Sequence, residues 1–417
     1  MNHITHGGGF YNKQFQHSAN FRIQFNFLTF KNADLKFAFL IFKYFPYGGV
    51  QRDMLRIAED CVSQGHEVTI YTGQWRGDKP LGNIHVEVLP SKGFFNHQRH
   101  QSLIKGMMAA VRKKPVDLVV GFNRMPNLDV YFAADPCFLA RAVEEKSFLY
   151  RLTSRFRFFR DCEKAVFCAD GQCQILSLTK RDQAVFERYY QTPADRFHLI
   201  PPNVPIEKFA SKDKLKCREY LRSQFQLPCS ARVVLTVGSA YLRKGVDRAL
   251  KALAALPNEL KNNTWLIAIG EHESSSRFVE DAKKLGISER CILAGGRSDV
   301  ADLMMGADAL LHPARSELAG LVIIEAMTAG LPVLVTDVCG YALHVKDAGA
   351  GILLESPFDQ NKLDQALLTI LTSSAEKLSK NGIAYTNKLS QTNPQKFEAN
   401  FLIAEASSKK KRKTGGF

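Results

Sequence analysis

Glu317 and Glu325 stand eight residues apart, with the small pair Ala319-Gly320 between them. His312-Pro313 closes a β-rich run before them, and Gly330 with Pro332 ends a helical pattern after them. That order predicts a helix opening at Ala319-Gly320 and running to Ala329. The free amides at its head, from Leu318 through Ala319 and Gly320 to Leu321, suit a phosphate. Glu317 in the preceding loop and Glu325 inside the helix can accept hydrogen bonds from sugar or ribose hydroxyls. A second cluster is Arg243-Lys244-Gly245, placed after a β-rich run. A forked guanidinium beside a compact ammonium can clamp a diphosphate, although the same pair also reads as two solvated surface cations. A third is Gly48-Gly49 within Lys43–Asp53, at another strand-to-helix turn. There the glycines permit close backbone approach to an anionic ligand, or simply make a tight turn. Asp53 reads as a hydroxyl partner or as a helix first-turn charge. The turn is not GxGxxG, which counts against a nicotinamide dehydrogenase.

These clusters need a scaffold that brings loops together. Strands are predicted at Lys36–Phe42, Glu67–Tyr71, His85–Leu89, Asp117–Gly121, Val130–Ala134 and Gln174–Leu178. Six more are predicted at Arg232–Val237, Thr264–Ile269, Cys291–Ala294, Ala309–His312, Leu331–Val335 and Gly351–Leu354. Helical patterns separate most of them, so the fold class is α/β with parallel sheets covered on both faces. Ile200-Pro201-Pro202-Asn203-Val204-Pro205 interrupts the series, because such a proline cluster continues neither a helix nor a central strand. Two Rossmann-like halves with a cleft between them follow.

A chain of 417 residues fits two or three domains, and 45% hydrophobic with 23% charged residues excludes a disordered or collagen-like chain. No apolar run approaches the ~20 residues of a bilayer span. Nine cysteines, an odd number with no CxxC pair, argue for free thiols in a reducing cytoplasm over a disulfide framework or structural zinc. The net charge is +15, and residues 1–200 carry 27 basic against 18 acidic groups. The rest is nearly neutral apart from Lys409, Lys410, Lys411, Arg412 and Lys413. Such a balance calls for an anionic partner. Residues 1–34 show no period and no signal-peptide core, and read as a poorly ordered extension.

Glu317 and Glu325 together resemble the EX7E element of the retaining GT-B enzymes of glycosyltransferase family 4. Arg243-Lys244-Gly245 is similar to that family's donor-phosphate pair, and Gly48-Gly49 to its N-terminal glycine loop. Lys43–Asp53, Val120–Asp135, Phe148–Arg157, Gly245–Arg248 and Ala326–Tyr341 most resemble the branch that adds the first glucose to the heptose region of the lipopolysaccharide core. The likeness runs over about residues 35–400.

The resemblance implies a GT-B fold, two Rossmann-like domains with parallel sheets facing a central cleft. It divides the chain into an extension (1–34), an acceptor-binding domain (35–202), a nucleotide-sugar domain (203–385), a helix returning to the first domain (386–406) and a basic tail (407–417). It implies retaining α-1,3 transfer from UDP-glucose to a heptose of the heptosylated lipid A core. Arg243 and Lys244 would hold the diphosphate, Glu325 the ribose and Glu317 the glucose. Arg297 and Val300 belong to a segment resembling that around the uracil. Asp135, at a strand end facing the cleft, is assigned to the reaction centre where many relatives carry a histidine; its other reading is a helix N-cap. No metal cofactor is expected.

The segment 141–160 is basic, and on one helix Phe148, Leu149, Leu152, Phe156 and Phe159 share about 100° of arc. With Lys146, Arg151, Arg155 and Arg157 around them, they predict an interfacial helix on the anionic cytoplasmic face of the inner membrane; a stripe packed on its own domain is the alternative. The tail cations read as a second electrostatic contact or a disordered end. A transferase of the same fold using another nucleotide sugar or glycolipid acceptor stays open, as does a polyanion-binding protein. Nucleic acid is not expected, because zinc-finger spacing, RNP-type aromatics and basic heptads are lacking.

Overall fold

The computed structural model describes residues 34–46, 49–80, 82–271, 276–392 and 396–414. Residues 1–33 of the extension 1–34, and Gly48, lie outside them. Seven strands build the first sheet: β1 Lys36–Ile41, β2 Glu67–Thr72, β3 Ile84–Val88, β4 Leu118–Gly121, β5 Val130–Ala133, β6 Gln174–Ser177 and β7 Phe197–Leu199. Six build the second: β8 Arg232–Val237, β9 Thr264–Ile269, β10 Cys291–Gly295, β11 Ala309–His312, β12 Val333–Thr336 and β13 Gly351–Leu354. The spatial orders are β3-β2-β1-β4-β5-β6-β7 and β10-β9-β8-β11-β12-β13, parallel throughout.

All twelve predicted strands are present, with ends moved by one or two residues. In the interior strands the Val, Ile, Leu and Phe runs are buried on both faces, which is what makes a parallel strand legible, while β3, β10 and β13 are only partly covered. β7 was not foreseen: it is a three-residue edge strand just before the proline cluster, too short to show a pattern.

In each sheet the strand order reverses once, between β1 and β4 and between β8 and β11. At such a switch point the loops leaving the two strands part to opposite faces, opening a crevice at their carboxyl ends. The glycine loop follows β1, the Arg-Lys pair follows β8 and Glu317 follows β11. The topology alone therefore carries the candidate residues to the crevices.

Helix Ala375–Thr392 packs on the second half, against helices Leu321–Thr328 and Ala342–Ala348. The next helix, Phe397–Thr414, packs on the first half, against helix Gly49–Val62 and β4. Its Ala399, Phe401, Leu402 and Ala406 join the core of Phe37, Phe39, Ile57 and Ala58. Arg56 donates to Glu398 at 2.6 Å, which fixes the helix's first turn. Lys409, Lys410 and Arg412 lie on this helix rather than on a separate tail. Lys409 donates to both oxygens of Asp129 at 2.6 Å, and Lys410 lies 4.0 Å from Asp117.

The two tryptophans report the halves separately, Trp75 after β2 and Trp265 in β9. Leu402→Ala removes a fully buried side chain. It is expected to cost the first half about 2–5 kcal/mol. In urea unfolding of single-tryptophan variants, the Trp75 transition should move to lower denaturant while the Trp265 transition stays in place.

Candidate active site

The loops after β8 and β11 lock onto each other. Gly245 has φ +78°, and a Cβ there would sit 2.0 Å from the Pro313 carbonyl oxygen, so no other residue allows this approach. Arg315 donates to both carboxylate oxygens of Asp247 at 2.7 Å and to the Leu242 carbonyl at 2.7 Å. Its amide donates to the Arg243 carbonyl at 2.8 Å. Arg248 donates to the carbonyls of Pro313 and Ala314 at 3.1 and 3.2 Å. A planar, five-donor side chain suits each of these bridges.

The result is a cluster around Glu317. Lys244 Nζ donates to Glu317 Oε2, and Arg243 Nη1 lies 3.4 Å from the same oxygen. His312 Nε2 lies 3.9 Å from it, beyond hydrogen-bond range, and neither ring nitrogen has a partner among the described residues. Lys244 and His312 are buried, whereas Arg243 is exposed. Burial alone would raise the Glu317 pKa, but His312 and Lys244 outweigh it and hold the carboxyl at about 2. Burial, helped by Lys244, lowers the His312 pKa, so its ring is neutral at neutral pH.

Gly320, in the left-handed region at φ +84°, caps a helix that runs from Leu321 to Thr328, two residues shorter at its head and one at its end than predicted. Glu325 faces Lys208, whose Nζ lies 3.2 Å from Oε1. The strip behind Glu317 is held by the Ala319 carbonyl, which accepts from Tyr341 N at 2.8 Å, and by a bridge between Glu317 and Cys339. Here the two halves meet. Arg181 donates to the Asp337 carbonyl at 2.7 Å, and a Cβ on Gly340 would lie 1.9 Å from Leu318 O and 2.3 Å from Thr179 Cγ2.

Arg243, Lys244, Glu317 and the helix head from Leu318 to Leu321 are thus one cluster, with Glu325 a turn further in. Asp53 lies on helix Gly49–Val62, 3.9 Å from Arg56 and within electrostatic reach of Tyr341 across the cleft. Gly49 opens that helix, and a Cβ there would meet nothing. The Arg297 side chain is committed to Asp299 at 2.5 and 2.7 Å and lies over Phe225. Val300 begins the next helix. Asp135 is exposed, with its carbonyl accepting from Arg124 at 2.7 Å. It is not the N-cap of helix Phe138–Glu145. Cys137 occupies that position, and the amides of Phe138 and Leu139 donate to the fully buried Glu163 at 2.7 and 2.8 Å. Sequence reasoning missed His312, Lys208 and the Arg315–Asp247 clamp. His312 was visible only as a strand end, and the others depend on tertiary contact.

The expected amphipathic helix over 141–160 is not one helix. Helix Phe138–Glu145 stops, a 3₁₀ turn covers Phe148–Leu152, and a new helix Ser154–Phe167 starts at a Thr153 cap. Phe156 is 5% exposed and packs inward, so it leaves the proposed membrane face, and Arg151 donates to the Val143 carbonyl. Phe148, Leu149 and Leu152 are 70%, 73% and 59% exposed. Beside them stands an unforeseen second prong, Phe94 and Phe95, at 84% and 57%. Gln98 Oε1 accepts from both their amides at 3.1 Å, and Arg99 donates to Gly93 O at 2.9 Å, so the loop holds the two rings outward. His97 ties the prongs together, 3.2 Å from Ser154 Oγ. Lys146, Arg155 and Arg157 are exposed around them. No helix among the described residues is long and apolar enough to cross a membrane.

A family model of group 1 glycosyl transferases matches residues 218–388, which hold the whole Glu317 cluster. Lipopolysaccharide glucosyltransferase WaaG of Escherichia coli (strain K12) is 43% identical over 337 residues, 81% of this chain and 90% of that protein. The chain belongs to the group 1 glycosyltransferases. The crystal structure of WaaG, a glycosyltransferase involved in lipopolysaccharide biosynthesis, matches at TM-score 0.78 and 39% identity, covering 88% of this chain and 98% of that one. Anabaena Alr3699/HepE in complex with UDP-glucose matches at TM-score 0.66 over 90% and 99% of the two chains, and at 19% identity it bears on the fold alone. This group 1 glycosyltransferase has the GT-B fold, and its two parallel sheets are the two halves foreseen from strand–helix alternation.

Glu317 sits below its ordinary 4.5, so its ionised form stabilises the fold above that pH, and the contribution disappears as pH falls toward about 2. The gap corresponds to about 3 kcal/mol at most. Urea midpoints followed by Trp265 should fall between pH 4.5 and 2 more steeply in wild type than in Glu317→Gln.

Proposed function

We propose that this glycosyltransferase moves glucose from UDP-glucose to a heptose of the lipopolysaccharide inner core, by retaining α-1,3 transfer. The observation that carries the reading is the Arg243–Lys244–Glu317 cluster at a helix head. It lies in a chain 43% identical to a lipopolysaccharide glucosyltransferase. Glu317 pairs with both cations. An arriving diphosphate carries more charge than one carboxylate and draws Lys244 and Arg243 to itself. Glu317 is then freed toward the glucose hydroxyls, with His312 as its remaining neighbour. As the glycosidic bond breaks, negative charge grows on the leaving UDP. Arg243, Lys244 and the amides from Leu318 to Leu321 are already in place to take it, so little reorganisation is needed. In this reading the charge is neutralised without a metal. Glu325 takes the ribose hydroxyls in exchange for Lys208, the segment at Arg297 and Val300 borders the uracil, and Gly48, Gly49 and Asp53 close the donor site from the first half. Asp135, exposed at the end of β5, belongs to the reaction centre.

The paired prongs support peripheral binding to the anionic cytoplasmic face of the inner membrane. Aromatic and leucine side chains ringed by Lys146, Arg155 and Arg157 enter the headgroup layer, each cation adding about 1 kcal/mol.

UDP release from a panel of nucleotide sugars, with and without heptosylated core, tests the chemistry. Release stimulated by acceptor is expected from UDP-glucose, and Lys244→Ala and Glu317→Ala should each lower it by about 10²-fold or more. Stimulation with another donor only, or full activity in either variant, overturns the assignment. Phe94→Ser with Leu149→Ser should abolish co-sedimentation with phosphatidylglycerol-containing vesicles and leave transfer to delipidated acceptor intact. Unchanged sedimentation would remove the membrane face.

A further inference from the structure

His312 is the last residue of β11, and its ring is fully buried. Neither ring nitrogen has a hydrogen-bond partner among the described residues. Buried polar groups are paired as a rule, and an orphan destabilises the fold that keeps it. An apolar side chain of similar size would fill the same space without that penalty. We infer that His312 is a positioning residue for the reaction: when the donor diphosphate draws Lys244 and Arg243 away, its Nε2–H donates to Glu317 and aims that carboxylate at the donor sugar. The inference rests on the transferase reading and adds the group that holds Glu317 once the donor is bound.

Three observations carry it. The first is convergence. Lys244 Nζ, Arg243 Nη1 and His312 Nε2 all point at one atom, Glu317 Oε2. Lys244 and Arg243 hold that oxygen, and the imidazole waits at 3.9 Å, about 1 Å outside hydrogen-bond reach.

The second is which groups can move. His312 pairs in register with Val335 of β12, and the next residue, Pro313, is locked against Gly245 and accepts from Arg248. The imidazole is therefore anchored by its backbone on both sides. Lys244 carries its charge on a flexible four-carbon stem, which passes so close over Gly238 that a Cβ there would lie 2.7 Å from Cε. An anion can draw the ammonium off, whereas the ring stays behind. A small turn of the Glu317 side chain then closes the gap.

The third is charge. Burial, with Lys244 and Arg243 nearby, keeps the ring neutral against the pull of Glu317. A neutral N–H orients a carboxylate without cancelling its charge. A third cation at this depth would instead draw the diphosphate inward, past the sugar.

His312→Gln and His312→Met form a matched pair, two unbranched side chains of similar length of which only glutamine can donate. The kcat of transfer and the KM for the nucleotide sugar are measured for each, and calorimetry with UDP reports donor affinity and the integrity of the fold. The Met variant should bind UDP like wild type and lose about ten- to hundredfold in kcat with little change in KM. The Gln variant should recover most of that loss. In histidine-15N-labelled wild type, the His312 Nε2 proton, assigned by its disappearance in His312→Gln, should move downfield when UDP is added. The same signal, assigned in Glu317→Ala, should stay in place. This second arm needs no folded Met variant. Equal kcat in the Gln and Met variants makes His312 a space-filling residue and overturns the inference, as does a wild-type signal that UDP leaves unmoved. Turnover by wild type of another nucleotide sugar only would discard UDP-glucose as the donor, and a Gln–Met difference measured with that sugar would still support His312.

Discussion

Everything in the second half converges on one carboxylate held by two cations. Glu317 stays ionised because the buried Lys244 reaches it, with Arg243 beside the same oxygen, and both come there because two loops approach to atomic contact at Gly245 and Pro313. The guanidiniums of Arg315 and Arg248 keep the loops there by bonding backbone carbonyls from opposite sides. A buried ion pair of this kind is a poor source of stability by itself. Its use is that the buried Lys244 and the surface Arg243 stay aimed at one point, so a stronger anion finds its counter-charges preassembled.

The same logic explains how much was legible in the residues. Long apolar runs made the strands plain, and glycine with proline marked their ends. Glu317, Glu325, Arg243 and Lys244 could be grouped because each stands at a fixed offset from a strand, and strand order then places them together. His312, Lys208 and the Arg315–Asp247 clamp could not be grouped, since their partners lie 5 to 117 positions away with no periodic relation.

The segment 141–160 failed for a different reason. A helical wheel assumes an unbroken helix, yet Ser147 and Thr153 are cap-forming residues inside it, and Thr153 Oγ1 accepts from Phe156 N at 3.1 Å. The break turns Phe156 inward and pushes Phe148, Leu149 and Leu152 out on a tight turn. The apolar, basic character survived while its geometry changed. Phe94 and Phe95 were invisible as surface residues, because two adjacent phenylalanines usually signal a core.

The final helix, Phe397–Thr414, completes the core of the first half. Protein is made from the N-terminus, so during translation the first sheet emerges long before the helix that covers helix Gly49–Val62. At ~5–20 residues per second, the ~200 residues of the second half take roughly 10–40 s to make. For that interval the growing polypeptide presents an uncovered apolar stripe around Ile57, Ala58 and Ala38's neighbours Phe37 and Phe39. The half made first is finished last, and a ribosome that stalls before helix Phe397–Thr414 has emerged leaves a nascent chain with a nearly complete second half and an open first one.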